Sequence, residues 1–176
     1  WTDADCGNIT AFFSVFYALC SLFVGKIVDT MGTRKAYLWA IFVWSLAACM
    51  HALCGVGVQW ALGYDSLEAM RTVEQGSAAA LAISTAGVWA FIFCRGLLAI
   101  GESGNFPAAI RVTAEYFPKK DRAYATSVFN AGASIGACVA PLTIPHLAAA
   151  CGWEMSFVII GALGFFWMGF FVKWYD

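Results

Sequence analysis

Five long apolar stretches, separated by short charged segments, constrain this chain more than any other feature of its sequence. A bilayer core about 30 Å thick needs about 20 apolar residues in a helix. The predicted spans are residues 9–28, 36–58, 87–117, 123–148 and 153–174. None shows the period-two alternation of a barrel strand, so helices are expected throughout. Composition agrees: 61% of the 176 residues are hydrophobic and 12% charged, against about 45–50% and about 25% in ordinary soluble domains. The reading is an all-α integral membrane protein. A formal net charge of −1 gives no basic field for nucleic acid, so none is expected as a partner. Seven cysteines are present, and Cys20, Cys49, Cys54, Cys94 and Cys138 sit in apolar runs without a C-x-x-C pair, which predicts small buried or lipid-facing residues. The chain starts at Trp1 with no leader-like segment, which predicts a piece of a longer protein.

Charge placement sets the number of crossings. With five spans, Arg34, Lys35, Lys119, Lys120, Arg122 and Lys173 all face one side, which the positive-inside rule makes the cytoplasm. Asp3, Asp5, Asp65, Glu68, Glu74 and Glu154 collect on the other side with Arg71 as the single base. Cutting the third span at Arg95 would move the Lys119 cluster to the acidic side, so five spans with the N-terminus outside is the consistent topology. Residues 55–86 are expected to form an external insertion.

Arg95 and Glu102, in the third span, carry the chemistry. An ionisable group within the bilayer is costly unless it is paired or faces a water-filled cavity. Seven residues separate them, close to two turns or about 10.5 Å of axis, so they share a face but are too far apart for a direct bond. Asn105 lies on the same face, while Gly101, Gly104 and Pro107 allow close packing and a local break. Two readings are open, a structural ion pair with a neighbouring helix and a substrate or proton site, and the second is favoured. Glu102 is then the candidate proton carrier. Tyr17 in the first span either reaches the same cavity or simply packs, and Asn130 in the fourth either contacts substrate or bridges two helices.

The turn holding Gly25, Asp29, Gly32, Arg34 and Lys35 is the second feature. Asp29 ends a helix, where the macrodipole disfavours an anion, so it is expected to cap the next helix or pair with a base. Gly32 supplies a tight turn. In the fourth span Gly132 and Gly136 form a small-residue ridge, explained by close helix packing, with Pro141 and Pro145 as two potential kinks. His51 and His146 lack a second ligand at helical spacing, so structural or interfacial roles are preferred to metal binding. No hydrolase elbow, H-E-x-x-H site or phosphate loop occurs, and neither an enzyme nor a cofactor is expected.

The stretch from Gly25 to Lys35 is similar to the signature loop between the second and third helices of major facilitator superfamily transporters. The segment from Arg95 through Glu102, Asn105 and Pro107 to Arg122 resembles the fourth helix of the anion:cation symporter branch, most closely its hexuronate and other sugar-acid carriers. That resemblance implies five helices corresponding to helices two to six of a twelve-helix transporter of the bacterial inner membrane. The first helix and the C-terminal lobe would be missing partners from the same polypeptide. It further implies proton coupling at Glu102, an electrostatic partner near the anion at Arg95, substrate contact at Tyr17, and gating by the Gly25–Lys35 loop. Ala133 stands where some sugar-acid carriers have a polar residue, and the external insertion is longer than in many members. The function implied is proton-coupled symport of a hexuronate-like anion by alternating access. The competing readings are carriage of another organic anion, with sodium as a possible coupling ion, and a ligand sensor that does not transport.

Overall fold

The computed structural model describes residues 2–175. These form eight helices: α1 (Asp3–Met31), α2 (Thr33–Ala52), α3 (Cys54–Leu62), α4 (Leu67–Arg71), α5 (Ala78–Ser103), α6 (Asn105–Tyr116), α7 (Arg122–Cys151) and α8 (Trp153–Trp174). No strand occurs among the described residues.

Local chemistry explains most boundaries. Thr2 caps α1: its hydroxyl accepts the Asp5 N–H at 3.2 Å while Asp5 Oδ2 accepts the Thr2 N–H at 2.8 Å, a reciprocal capping box. Gly32 stands alone between α1 and α2 with φ +81°, a backbone that a side chain strains, so the two helices fold into a hairpin there. Ser66 and Ser77 cap α4 and α5 by accepting the N–H of Ala69 and Ala80, each at 3.1 Å.

Two boundaries differ from expectation. The second span does not run straight through residue 58, because α2 stops at Ala52 and α3 continues at a bend of 55°. The third begins at Ala78, so the external connection between spans is 63–77, carrying only α4, rather than 55–86. Residues 78–86 are mainly alanine and other small residues, a weaker span signal than the bulky apolar run after them, but alanine is the best helix former and the segment follows a serine cap.

Four helical segments, Asp3–Met31, Ala78–Tyr116, Arg122–Cys151 and Trp153–Trp174, are long and apolar enough to cross a membrane, and the bent α2–α3 pair makes a fifth. Leu22, Phe23, Trp39 and Phe166 are exposed on their outer faces, as expected where lipid is the solvent. The chain is an integral membrane protein.

Its centre is α2, held between α5 and α8. In lipid, close packing of small residues drives helix association. A Cβ on Gly101 of α5 would lie 2.8 Å from both the Ala40 carbonyl oxygen and Trp44 Cα of α2. On α8, a Cβ at Gly161 would fall 2.8 Å from the Ser45 carbonyl, and one at Gly164 would be 2.8 Å from the Trp44 ring. Ser45, Ala47 and His51 of α2 are fully buried here. The His51 Nδ1 lies 2.7 Å from the Ala47 carbonyl, and its ring stacks on Phe157 at 4.9 Å between centroids.

The ridge of Gly132 and Gly136 packs against nothing: no atom lies within 4 Å of a Cβ at either. None of the residues of α7 is buried, and the helix lies mainly on α8 and α6. Pro141 and Pro145 sit inside α7, which remains one helix from Arg122 to Cys151. The close-packing glycines are instead Gly101, Gly104, Gly161 and Gly164.

Candidate functional site

The α5–α6 rod is continuous except at Gly104, which ends α5 and starts α6. Along its length stand Arg95, Glu102 and Asn105, each half-buried. Arg95 sits over the Phe13 ring of α1, with Cζ 5.6 Å from the centroid, a cation–π contact. Its Nε is buried without a hydrogen-bond partner, and so is Asn105 Oδ1. The Glu102 side chain makes no hydrogen bond or ion pair among the described residues. Arg95 Nε and Asn105 Oδ1 thus hold unused hydrogen-bonding capacity away from bulk water, and buried polar groups ordinarily are paired.

Tyr17 comes to the edge of this arrangement. Its ring stacks on Phe13 at 6.0 Å between centroids, and Phe13 is the ring beneath Arg95. Asn130 does not join it. That residue is exposed on α7, where its carbonyl accepts the Ser134 hydroxyl at 3.1 Å.

At the other end of the bundle the turn is wired by residues that sequence reasoning missed. Asp29 accepts from Arg111 Nη1 at 2.7 Å, and the same nitrogen donates to the Val28 carbonyl at 3.1 Å. The expected alternatives for Asp29 therefore resolve to an ion pair with a base on α6. Arg111 Nε also donates to Glu115 at 3.2 Å, while Glu115 accepts from the Thr33 hydroxyl and, at 2.9 Å, from the Tyr175 hydroxyl. Burial and the neighbouring Glu115 carboxylate push the Tyr175 phenol above its ordinary range. Arg34 Nη2 donates to the Val172 carbonyl at 3.2 Å. The exposed Lys35 lines a cavity of about 430 Å³ with Arg34 and Arg111. Gly25 has open space around it. The available signal for the missed residues was the spacing of Arg111 and Glu115, one turn apart near the end of the third span.

The bundle, with ionisable side chains inside one of its apolar spans, is that of a polytopic helical membrane protein. The chain belongs to the Major Facilitator Superfamily, whose family model matches residues 69–176. Among curated proteins it is similar to the hexuronate transporter of Escherichia coli K12, 30% identical over 164 residues, covering 90% of this chain and 30% of that protein. It is also similar to the galacturonate transporter of Dickeya chrysanthemi, 28% identical with 90% of this chain and 37% of the relative covered. The probable galactarate/D-glucarate transporter GarP of Escherichia coli K12 is 28% identical, with 95% and 32% covered. The chain spans about a third of the length of these curated relatives. No solved structure matches it.

Proposed function

We propose that this chain forms part of the N-terminal lobe of a secondary transporter, helices two to six, that carries a sugar-acid anion such as a hexuronate together with protons. The carrying observation is the trio of Arg95, Glu102 and Asn105, with buried Nε and Oδ1 atoms that have no partner. A carboxylated polyol offers an anionic group for the guanidinium and hydroxyls for an amide, the chemistry these atoms lack. The names of the relatives support the substrate class. On this reading the protein is a carrier rather than an enzyme and needs no cofactor.

In the mechanism we infer, Glu102 takes the coupled proton. While charged it competes with the anion for the field of Arg95; protonated, it frees that field, and the anion binds. Tyr17 and Asn105 fix the hydroxyls, and Asn130 contacts substrate once α7 moves inward. Alternating access rocks the lobes about a site near the midplane, and the turn of Gly25, Asp29, Gly32, Arg34 and Lys35 gates it by making and breaking contacts such as Asp29–Arg111.

The test is uptake of labelled galacturonate by the full-length protein in membrane vesicles, with and without an imposed proton gradient. Native protein should accumulate substrate when the gradient is applied. Glu102→Gln should lose accumulation while keeping exchange of substrate across the membrane. Accumulation by the Gln variant would refute the coupling role. No uptake by folded native protein would remove hexuronates in favour of other organic anions or of ligand sensing.

A further inference from the structure

Cys54, the first residue of α3, and Cys94, in the body of α5, bring their Sγ atoms to 3.6 Å. Forty positions separate them in the chain, so the fold rather than local geometry makes the contact. Both are buried, at 6% and 4% exposure. The remaining cysteines, Cys6, Cys20, Cys49, Cys138 and Cys151, are exposed or half-buried, and among the described residues none of them has its sulfur against another. We propose that Cys54 and Cys94 are a redox-active thiol pair, which a small disulfide reagent converts to an intramolecular disulfide tying α3 to α5.

The sulfurs have little distance to close. Closing 3.6 Å to a sulfur–sulfur bond of about 2.05 Å needs a movement of about 1.5 Å. Cys54 follows Leu53 at the 55° joint between α2 and α3, where the chain is not held by a continuous helical ladder. Its Sγ makes only one other polar contact, 3.7 Å from the Met50 carbonyl.

A reagent can also reach it. Cys54 lines a cavity of about 620 Å³ whose other walls include Met70, Val73, Phe91, Trp153 and Phe157. Met70 belongs to α4, and that short helix is clasped to α8 by Arg71 Nη2 donating to Glu154 Oε1 at 2.9 Å. The cavity lies towards the end remote from the basic turn: at about 1.5 Å per residue, Cys94 stands about 26 Å along the α5–α6 rod from Arg111. Its walls are almost wholly apolar, so an uncharged, aromatic disulfide suits it better than a charged one.

The chemistry is thiol–disulfide exchange. The Cys54 thiolate attacks one sulfur of the reagent, giving a mixed disulfide and releasing one reagent thiolate. The Cys94 thiolate then attacks the Cys54 sulfur, the bond between them forms, and the second reagent thiolate leaves. The two cysteine thiols lose two electrons and two protons, and the reagent takes them up as two thiols. The product fixes the bent end of the second span to the helix position next to Arg95.

The test treats membranes containing the full chain with dipyridyl disulfide, alkylates remaining thiols under denaturing conditions, and maps peptides by mass spectrometry without reduction. The expected product is a Cys54–Cys94 cross-linked peptide, two hydrogens lighter than its reduced parts. Cys94→Ser should stop at the mixed disulfide on Cys54, and Arg71→Ala, by loosening α4, should raise the rate several-fold. Recovery of both cysteines in alkylated form from the treated native protein overturns the proposal, as does cross-linking of either one to Cys49. The readout is independent of transport, so it stands or falls apart from the function proposed above.

Discussion

Gly101→Ala tests the packing at the centre of the bundle. A methyl group there would sit 2.8 Å from the Ala40 carbonyl oxygen and from Trp44 Cα, and a third backbone atom of α2, the Trp44 nitrogen, is closer still. Ordinary contacts begin near 3.4 Å, so clearing the nearest of these atoms requires α2 to retreat by about an ångström, since backbone cannot swing aside as a side chain would. Overpacking of this kind costs about 1–3 kcal/mol. For a domain of this size each kcal/mol moves the midpoint by about 2–4 °C, so Tm should fall by about 2–12 °C. Gly132→Ala is the internal control: it also places alanine in a helix but meets nothing within 4 Å, and should gain about 0.5–1 kcal/mol from helix propensity. The assay is thermal unfolding in detergent followed by tryptophan fluorescence, with Trp44 at the contact. If Gly101→Ala melts with the parent, or no lower than Gly132→Ala, the close approach of α2 and α5 is refuted.

Two further outcomes follow from the turn. A double-mutant cycle on Asp29→Ala and Arg111→Ala should give a coupling of about 0.2–1 kcal/mol that weakens with salt, because the Asp29 side chain is 76% exposed; a coupling above about 2 kcal/mol would contradict that solvent screening. Tyr175 should ionise above the ordinary phenol range in an alkaline absorbance titration, a late component that Tyr175→Phe removes. Because its folded value is raised, its contribution to stability is complete below the unfolded value of about 10 and is lost as pH rises beyond it. A Tyr175 that titrates normally would show the contact with Glu115 to be absent in solution.

The sequence carried the spans because hydropathy over twenty residues is a property of composition, and lipid demands it. Arg95 and Glu102 stand out in it because a charge inside an apolar run is conspicuous. It hid what depends on partners. Gly132 and Gly136 advertised a packing ridge by their spacing, yet Gly161 and Gly164, spaced three apart on α8, are the ones that receive α2. Spacing states that a helix has a smooth face and says nothing of which helix meets it. Arg111 was passed over for the same reason: its role arises only when α1 brings Asp29 within 2.7 Å. Residues 78–86 misled because small side chains score as neither apolar span nor polar loop.

The position of α2 also has a bearing on how the chain is made. Trp44 is received by Gly101 and Ser45 by Gly161, which emerge from the ribosome about 57 and 116 residues later. At synthesis rates of about 5–20 residues per second, α2 waits roughly 3–11 s for α5 and 6–23 s for α8. Through that interval its serine and its histidine face lipid or the insertion machinery with their final neighbours unmade. The helix that ends deepest in the bundle enters the membrane well before the two helices that enclose it.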